Sequence, residues 1–363
     1  MYALEELSIE VTNECNLSCI HCSSGSTPKR LKNELSGEEL IRLIHEAREL
    51  GATVLSLSGG NPLLLSVASV PSLAIFALQQ GYEKVLVYTT GHNQHGNTID
   101  LWPFVHSMCN VGLDYDGTVV WIVSMHSHQP QVNDMIMNKK GALDDIVASV
   151  KWLVANDQAV EVHMVPMKPN FRHIPQVRDL CADIGVRRLS LLRFVPQTRG
   201  YVNRDILGMT VEEFVEMQRM FMDLMNDNDH PVDVRLGCPI DFRHTVDDNI
   251  VDKIKPCHAG SDLILVRPDG AVHPCAAWKS LPTDSDVRKH SLKDIWDYGE
   301  TFVAIRAYLD SGYKSVPGCS GCIAVDSCKT GCPAQRLHAY GKSLNDLYSM
   351  WSDPLCPVGL KDG

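Results

Sequence analysis

The chain has 363 residues, 44% of them hydrophobic and 21% charged, and carries a formal net charge of −11. This is the composition of a globular protein with enough apolar residues for a sizeable core, in one large or two ordinary domains. It argues against a large electrostatic footprint on nucleic acid, and the lack of a signal peptide or a run of 18 apolar residues points to a cytoplasmic chain with no membrane span.

Residues 7–12 read as a short strand. Residues 36–50 read as a helix: a capping box runs from Ser36 to Glu39, Gly51 lies beyond its end, and Leu40, Leu43, Ile44, Ala47 and Leu50 follow helical spacing. Further strands are expected at 54–57, 84–89, 119–125, 160–165 and 189–194. Amphipathic helices lie between them, such as 143–154 with Leu143, Ile146, Val147 and Val150 on one face. Six strands alternating with helices predict a parallel sheet of βα units, which right-handed crossovers curl toward a partial barrel. A helix with its own capping box, Thr210 to Glu213, runs to about Asn226. From about 235 the pattern changes to short strands, turns and cysteines, and the stretches 263–266 and 272–273 flank Pro268-Asp269-Gly270 as a hairpin.

Thirteen cysteines without a secretory signal point to metal or redox chemistry rather than disulfides. Cys15, Cys19 and Cys22 read C-x3-C-x2-C in ECNLSCIHCSSG. Three thiolates on one loop can hold three irons of a [4Fe–4S] cluster and leave the fourth iron open to a substrate or cofactor. Zinc is the alternative, but a closed structural site takes four ligands, so the trio would recruit His21 or a distant group. Directly after the second strand, LSLSGGNPLL places Gly59, Gly60, Asn61 and Pro62 at a strand's carboxyl end. Loops there carry the sites of parallel α/β folds, and two glycines allow close backbone approach to a ligand. A plain strand-to-helix turn is the competing reading.

The cysteine spacing resembles the signature of the radical S-adenosylmethionine (SAM) enzymes, in which SAM chelates the open iron. Gly-Gly-Asn-Pro resembles the family's G-G-E-P, whose backbone and acid hold the SAM amino group; Asn61 offers a carbonyl acceptor but no charge. Thr90, in TTGH, resembles part of the T-N-G loop after strand three, and Ser124 resembles the strand-four serine that touches the SAM ribose or carboxylate. His126 stands where that motif has aspartate and Met137 where an arginine often follows, so Lys139 or Lys140 is expected to replace the carboxylate contact. RFVPQTRG, residues 193–200, resembles the last barrel strand and its exit. The resemblance implies an α/β fold, a partial (β/α)6 TIM-like barrel over residues 1–230. It also implies reductive cleavage of SAM to a 5′-deoxyadenosyl radical that takes a hydrogen atom from the substrate, with flavodoxin or ferredoxin as electron donor.

The later cysteines have their own spacing. Cys257 precedes Gly270 and Cys275; then come Cys319, Cys322, Cys328 and Cys332 as C-x2-C-x5-C-x3-C, and finally Cys356. This resembles the SPASM domain found on a subset of radical SAM enzymes, expected here over 231–363. The resemblance implies two auxiliary [4Fe–4S] clusters, one on Cys257, Cys275 and Cys332, the other on Cys319, Cys322, Cys328 and Cys356. Cys238 is a candidate to close the first; otherwise that site is open to substrate. A zinc ribbon over 319–332 is the alternative, and Cys109 and Cys181 read as buried apolar residues.

SPASM proteins mostly modify ribosomally made peptides, by cross-linking, epimerisation or decarboxylation, and some oxidise a Cys or Ser to formylglycine. Ala276 stands where the formylglycine-forming members have an aspartate, which counts against that role. The expected substrate is a peptide or protein side chain. The rival is a small molecule such as a haem precursor, a sugar or an aminoglycoside, since CHAG…PDGAVHPC also resembles haem-pathway members. A non-catalytic electron-transfer protein would not need the SAM loops. The chain begins almost on its first strand, so a separate leader-peptide-binding protein or a leaderless substrate is expected.

Overall fold

The computed structural model describes residues 2–65, 69–91, 117–237, 257–341, 343–348 and 351–358. Strands and helices alternate through the first half: β1 (Glu6–Thr12), α1 (Gly37–Glu49), β2 (Val54–Gly59), α2 (Ser69–Gln79), β3 (Lys84–Thr89), β4 (Thr118–Ser124), α3 (Pro130–Met137), α4 (Ala142–Ala155), β5 (Ala159–Met164), α5 (Ile174–Asp183) and β6 (Arg188–Leu191). Next come α6 (Thr198–Val202), α7 (Arg204–Leu207), α8 (Val211–Asn226) and β7 (Asp233–Leu236). The remainder holds β8 (Leu263–Val266), β9 (Val272–His273), α9 (Leu292–Tyr298), α10 (Glu300–Asp310), α11 (Val325–Cys328) and α12 (Pro333–Tyr340).

Among the described residues all nine strands join one sheet in the order β7-β6-β5-β4-β3-β2-β1-β8-β9. Every pairing is parallel except the β8–β9 hairpin. Alternation sorts the side chains of this curled sheet, a partial TIM-like barrel. Leu7, Ile9, Leu55, Leu57, Val85, Val87, Trp121, Val123, Val162 and Leu189 are buried in the apolar core. The opposite face carries Glu6, Glu10, Ser56, Tyr88, Glu161, His163 and Ser190. Several of these pair with one another: Ser56 Oγ donates to Glu6 Oε1 at 2.6 Å, His163 Nε2 meets Glu161 Oε1 at 3.0 Å, and Ser190 also bonds Glu161. A polar interior opening at the strands' carboxyl ends is where a parallel barrel does chemistry.

The two capping boxes form as expected. Ser36 and Glu39 close reciprocally on α1, and Thr210 and Glu213 on α8. Three features differ from the six-strand expectation. The sixth strand ends at Leu191 rather than 194, because Arg193 turns away to reach Gln335 at 2.6 Å and Asp353 at 2.5 Å. A seventh parallel strand, β7, pairs with β6 through Leu189↔Val234. The predicted hairpin joins the same sheet, with β8 parallel to β1 through Leu7↔Ile264. No described helix is long and apolar enough to cross a membrane.

Candidate active site

The loop after β1 is fixed at its root by one carboxylate. Glu34 accepts from Asn13 N (2.8 Å), Leu31 N (3.0 Å), Thr12 Oγ1 (3.1 Å) and Arg30 Nε (2.7 Å). Burial pushes its pKa up, but the backbone N–H donors and the Arg30 guanidinium hold it below the usual carboxylate range. The crown is clamped from across the barrel. Thr198 Oγ1 donates to Cys22 O (2.6 Å), Arg199 to Cys19 O (3.0 Å) and Ser26 O (2.6 Å), and Asn203 Nδ2 to Ile20 O (3.0 Å). Within this frame Cys15, Cys19 and Cys22 are free thiols, and Cys19 feels the charge of both others. Burial pushes the Cys15 thiol up to about 11 and Cys19 higher still, so both stay protonated until a metal takes the proton's place.

The two glycines at the end of β2 lie against this loop. A Cβ on Gly59 would stand 2.3 Å from Thr12 O, and one on Gly60 2.0 Å from Glu14 O. Gly60 N and Asn61 N donate to those same carbonyls, each at 2.8 Å. The end of β2 is thereby pressed onto the cysteine loop. The Asn61 side chain is fully buried; its Oδ1 accepts from Leu63 N and Thr89 Oγ1, both at 3.4 Å, and its Nδ2 donates to Asn16 Oδ1 at 3.3 Å. It caps the short turn Pro62–Leu64 and ties three loops together. Thr90 lies on the adjoining loop after β3, and Ser124 ends β4 in register with His163.

His126, where the family motif has aspartate, meets His21 of the cysteine loop edge-on, ring centroids 4.4 Å apart. Burial holds His21 down to about 4 and His126 well below its usual range. His126 Nδ1 accepts from Val165 N at 3.3 Å, which leaves the proton on Nε2, buried and without a hydrogen-bond partner among the described residues. Two neutral imidazoles therefore stand beside the thiols. The sequence marked each position but gave no sign that they meet. Lys139, expected to replace the missing arginine, is instead paired with Asp145 at 2.6 Å, and Lys140 is exposed.

In the carboxyl-terminal part, Cys319 and Cys322 share one turn, Cys328 ends α11, Cys332 caps α12, and Cys356 N bonds Asp353 O at 2.9 Å. Cys319 feels the charges of Cys356 and Cys322, and Cys328 those of Cys356 and Cys319, so these four converge. Burial pushes Cys319 up to about 11. Cys332 belongs to a second apolar core against which Cys257 and Cys275 pack. Cys181 is a buried core residue, as expected; Cys109 and Cys238 lie outside the described residues. No disulfide joins the described cysteines, and no three His, Cys, Asp or Glu among the described residues have single-ion spacing. Asp353 organises the region, accepting from Arg193 Nη2 (2.5 Å), Cys332 N (2.7 Å) and Leu355 N (2.9 Å).

One contact joins the two cysteine regions. Lys279, four residues after Cys275, donates to Glu10 Oε1 (2.8 Å) and Ser24 Oγ (2.7 Å), and Ser24 Oγ donates to Glu10 Oε1 (2.6 Å). The ion pair is almost fully buried, and Glu10 Oε2 has no hydrogen-bond partner among the described residues. Burial alone would raise the pKa of Glu10, but the Lys279 ammonium holds it below the usual carboxylate range. A cavity of about 220 Å3 opens between the ends of β6 and β7, α8 and Leu355, and its lining residue Phe194 belongs to the cluster against which Ile20 of the cysteine loop packs. Its walls are mainly apolar, with the buried Gln218 among them.

A profile of the radical SAM superfamily matches residues 9–181, and a profile of the SPASM iron–sulfur cluster-binding domain matches 257–323. Fe-coproporphyrin III synthase of Methanosarcina barkeri is 24% identical over 372 residues, 95% of this chain and 86% of that protein. Among solved structures, Streptococcus suis SuiB bound to S-adenosylmethionine superposes with a TM-score of 0.74 at 16% identity, covering 98% of this chain and 78% of SuiB. SuiB has also been solved bound to the precursor peptide SuiA (TM-score 0.75, 15% identity, 98% of this chain and 76% of SuiB). The protein anSMEcpe with bound AdoMet matches with a TM-score of 0.71 at 13% identity, covering 97% of this chain and 94% of that one.

Proposed function

We propose, for a chain that belongs to the radical SAM superfamily and carries a SPASM iron–sulfur cluster-binding domain, that its hydrogen-atom abstraction is directed at a side chain of a ribosomally made peptide or protein, leading to cross-linking, epimerisation or oxidation. The [4Fe–4S] cluster and SAM supply the reductive C–S cleavage that yields a 5′-deoxyadenosyl radical. The observation that carries the reading is the trio Cys15, Cys19 and Cys22: three free thiols on one clamped loop over a polar barrel mouth. That donor set fits a cluster with one open iron.

Residue roles follow from this reading. Cys15, Cys19 and Cys22 hold the SAM-binding cluster, and the Gly59–Pro62 turn, Thr90 and Ser124 border the SAM site. Asn61 acts there through the loop it braces, since its side-chain amide already serves Leu63, Thr89 and Asn16. Cys319, Cys322, Cys328 and Cys356 hold one auxiliary cluster. Cys257, Cys275 and Cys332 hold the other, with Cys238 as its fourth ligand. The core is assigned to 1–230 and the auxiliary domain to 231–363. A cytoplasmic location, a flavodoxin- or ferredoxin-type donor and a separate leader-binding protein belong to the same proposal.

The likeness to SuiB, solved with its precursor peptide, supports a peptide substrate, as does the apolar entrance beside β7. A second reading, a tetrapyrrole, is favoured by the nearly full-length similarity to Fe-coproporphyrin III synthase. The deciding experiment incubates the reconstituted protein anaerobically with SAM and dithionite, offering either a precursor peptide encoded beside the gene or carboxylated haem precursors. A mass change in the peptide with matching 5′-deoxyadenosine is expected. Turnover of the tetrapyrrole alone would transfer the assignment to the second reading.

A further inference from the structure

The outer flank of the cysteine loop is apolar where it meets solvent. Tyr201 is 49% exposed, Val202 75% and Ile206 59%, on α6 and α7, and Met135 on α3 is 46% exposed. Contacts through Ile20 gather them into one area: Ile20 N donates to Ile136 O, its own carbonyl accepts from Asn203, and its side chain packs with Ile136 and Leu207. Single exposed apolar residues are ordinary, but a contiguous group rimmed by polar residues marks an interaction surface. The rim here is basic on balance, with the exposed Asp205 lying 3.9 Å from Arg204 Nε. Arg204 lies over the Tyr201 ring at 4.2 Å, Lys168 N bonds Leu207 O, and Lys140 follows Asn138, whose amide bonds Ser18 Oγ at 2.9 Å. Arg204, Lys168 and Lys140 are all exposed, on a chain whose net charge is −11.

We propose that this face docks an acidic one-electron carrier protein of the flavodoxin or ferredoxin kind. The inference rests on the proposed role of Cys15, Cys19 and Cys22. The carrier gives up one electron and is oxidised by one unit, the cluster on those cysteines is reduced by one unit, and no bond forms or breaks in the transfer. The same short helix that presents Tyr201 and Val202 to solvent is bonded inward to Cys19 O and Cys22 O, so a docked carrier comes within a few bonds of the ligands. Complementary charge steers a weak encounter of this sort, and a small interface lets the spent carrier leave.

The test compares wild type with Val202→Glu/Ile206→Glu and with Arg204→Glu/Lys168→Glu. Oxidised flavodoxin is titrated calorimetrically, and 5′-deoxyadenosine is measured with reduced flavodoxin and, separately, with dithionite. Flavodoxin binding should weaken about tenfold or more in both variants, and wild-type binding should weaken with salt. Flavodoxin-driven turnover should fall in parallel while dithionite-driven turnover stays at the wild-type rate. Unchanged flavodoxin affinity, or an equal loss under both reductants, would overturn the docking face. Failure of the wild type to cleave SAM with dithionite would instead break the cysteine-site reading, and calorimetry would still judge the surface.

Discussion

The loop of Cys15–Cys22 and the segments of Cys319–Cys356 are built by different means. In the first, backbone holds backbone: glycines let β2 press on the loop, and α6 side chains bond its peptide carbonyls. In the second, buried charge holds short pieces of chain. Arg193 pairs with Asp353, while the fully buried Arg336 bonds Thr330 Oγ1, Trp351 O and Leu347 O. Helix α11 has only four residues, far below the length that persists alone. The sheet thus shapes the first site, whereas the second depends on ion pairs and on whatever its thiolates bind.

The largest effect expected from that difference is chemical. Replacing Cys15, Cys19 and Cys22 with Ala should abolish 5′-deoxyadenosine formation and lower iron from about twelve to about eight per chain, with the circular dichroism spectrum intact. Asp353→Ala should do the reverse. It leaves the Arg193 guanidinium buried without its carboxylate, costs about 3–5 kcal/mol in urea unfolding, and removes auxiliary iron before the first cluster. Equal loss at both sites would erase the contrast.

Gly60→Ala tests the backbone frame itself. Its Cβ meets Glu14 O, so a cost of about 2–4 kcal/mol is expected, with SAM cleavage falling together with stability. The link between the regions should respond to pH. Glu10 is held below its unfolded value, so its contribution is present above the ordinary carboxylate range and is lost as pH falls through the folded value. Lys279→Met removes the ammonium that depresses it, so urea midpoints followed from neutral to acid pH should show a shallower acid-side fall. An acid limb identical to wild type would mean that the Lys279–Glu10 pair carries no linkage.

Local signals carried most of this fold in the sequence. Ser36 with Glu39 and Thr210 with Glu213 marked both helix starts, the alternation of short strands with amphipathic helices marked the parallel sheet, and the cysteine spacing with the G-G-N-P turn marked the site. Strand β7 escaped because four residues, two of them charged, carry too short an alternation to read. The pairing of β8 with β1 and the Lys279–Glu10 contact join residues more than 250 positions apart, and no local pattern encodes such distances. The glycines of the G-G-N-P turn were visible, but their reason was not, since Thr12 and Glu14 press on them from another strand.

The pairing of β8 with β1 has a practical side. β1 is flanked on both sides, by β2 and by β8, and Glu5 N and Glu6 N also bond Asp262 O at 2.7 and 2.9 Å. A fragment cut after α8 would bare one whole side of that strand, with its row of unpaired amides and carbonyls. Such an edge recruits other chains and precipitates. Attempts to express the amino-terminal half alone should therefore give inclusion bodies unless residues 257–273 are supplied, in cis or as a co-expressed piece.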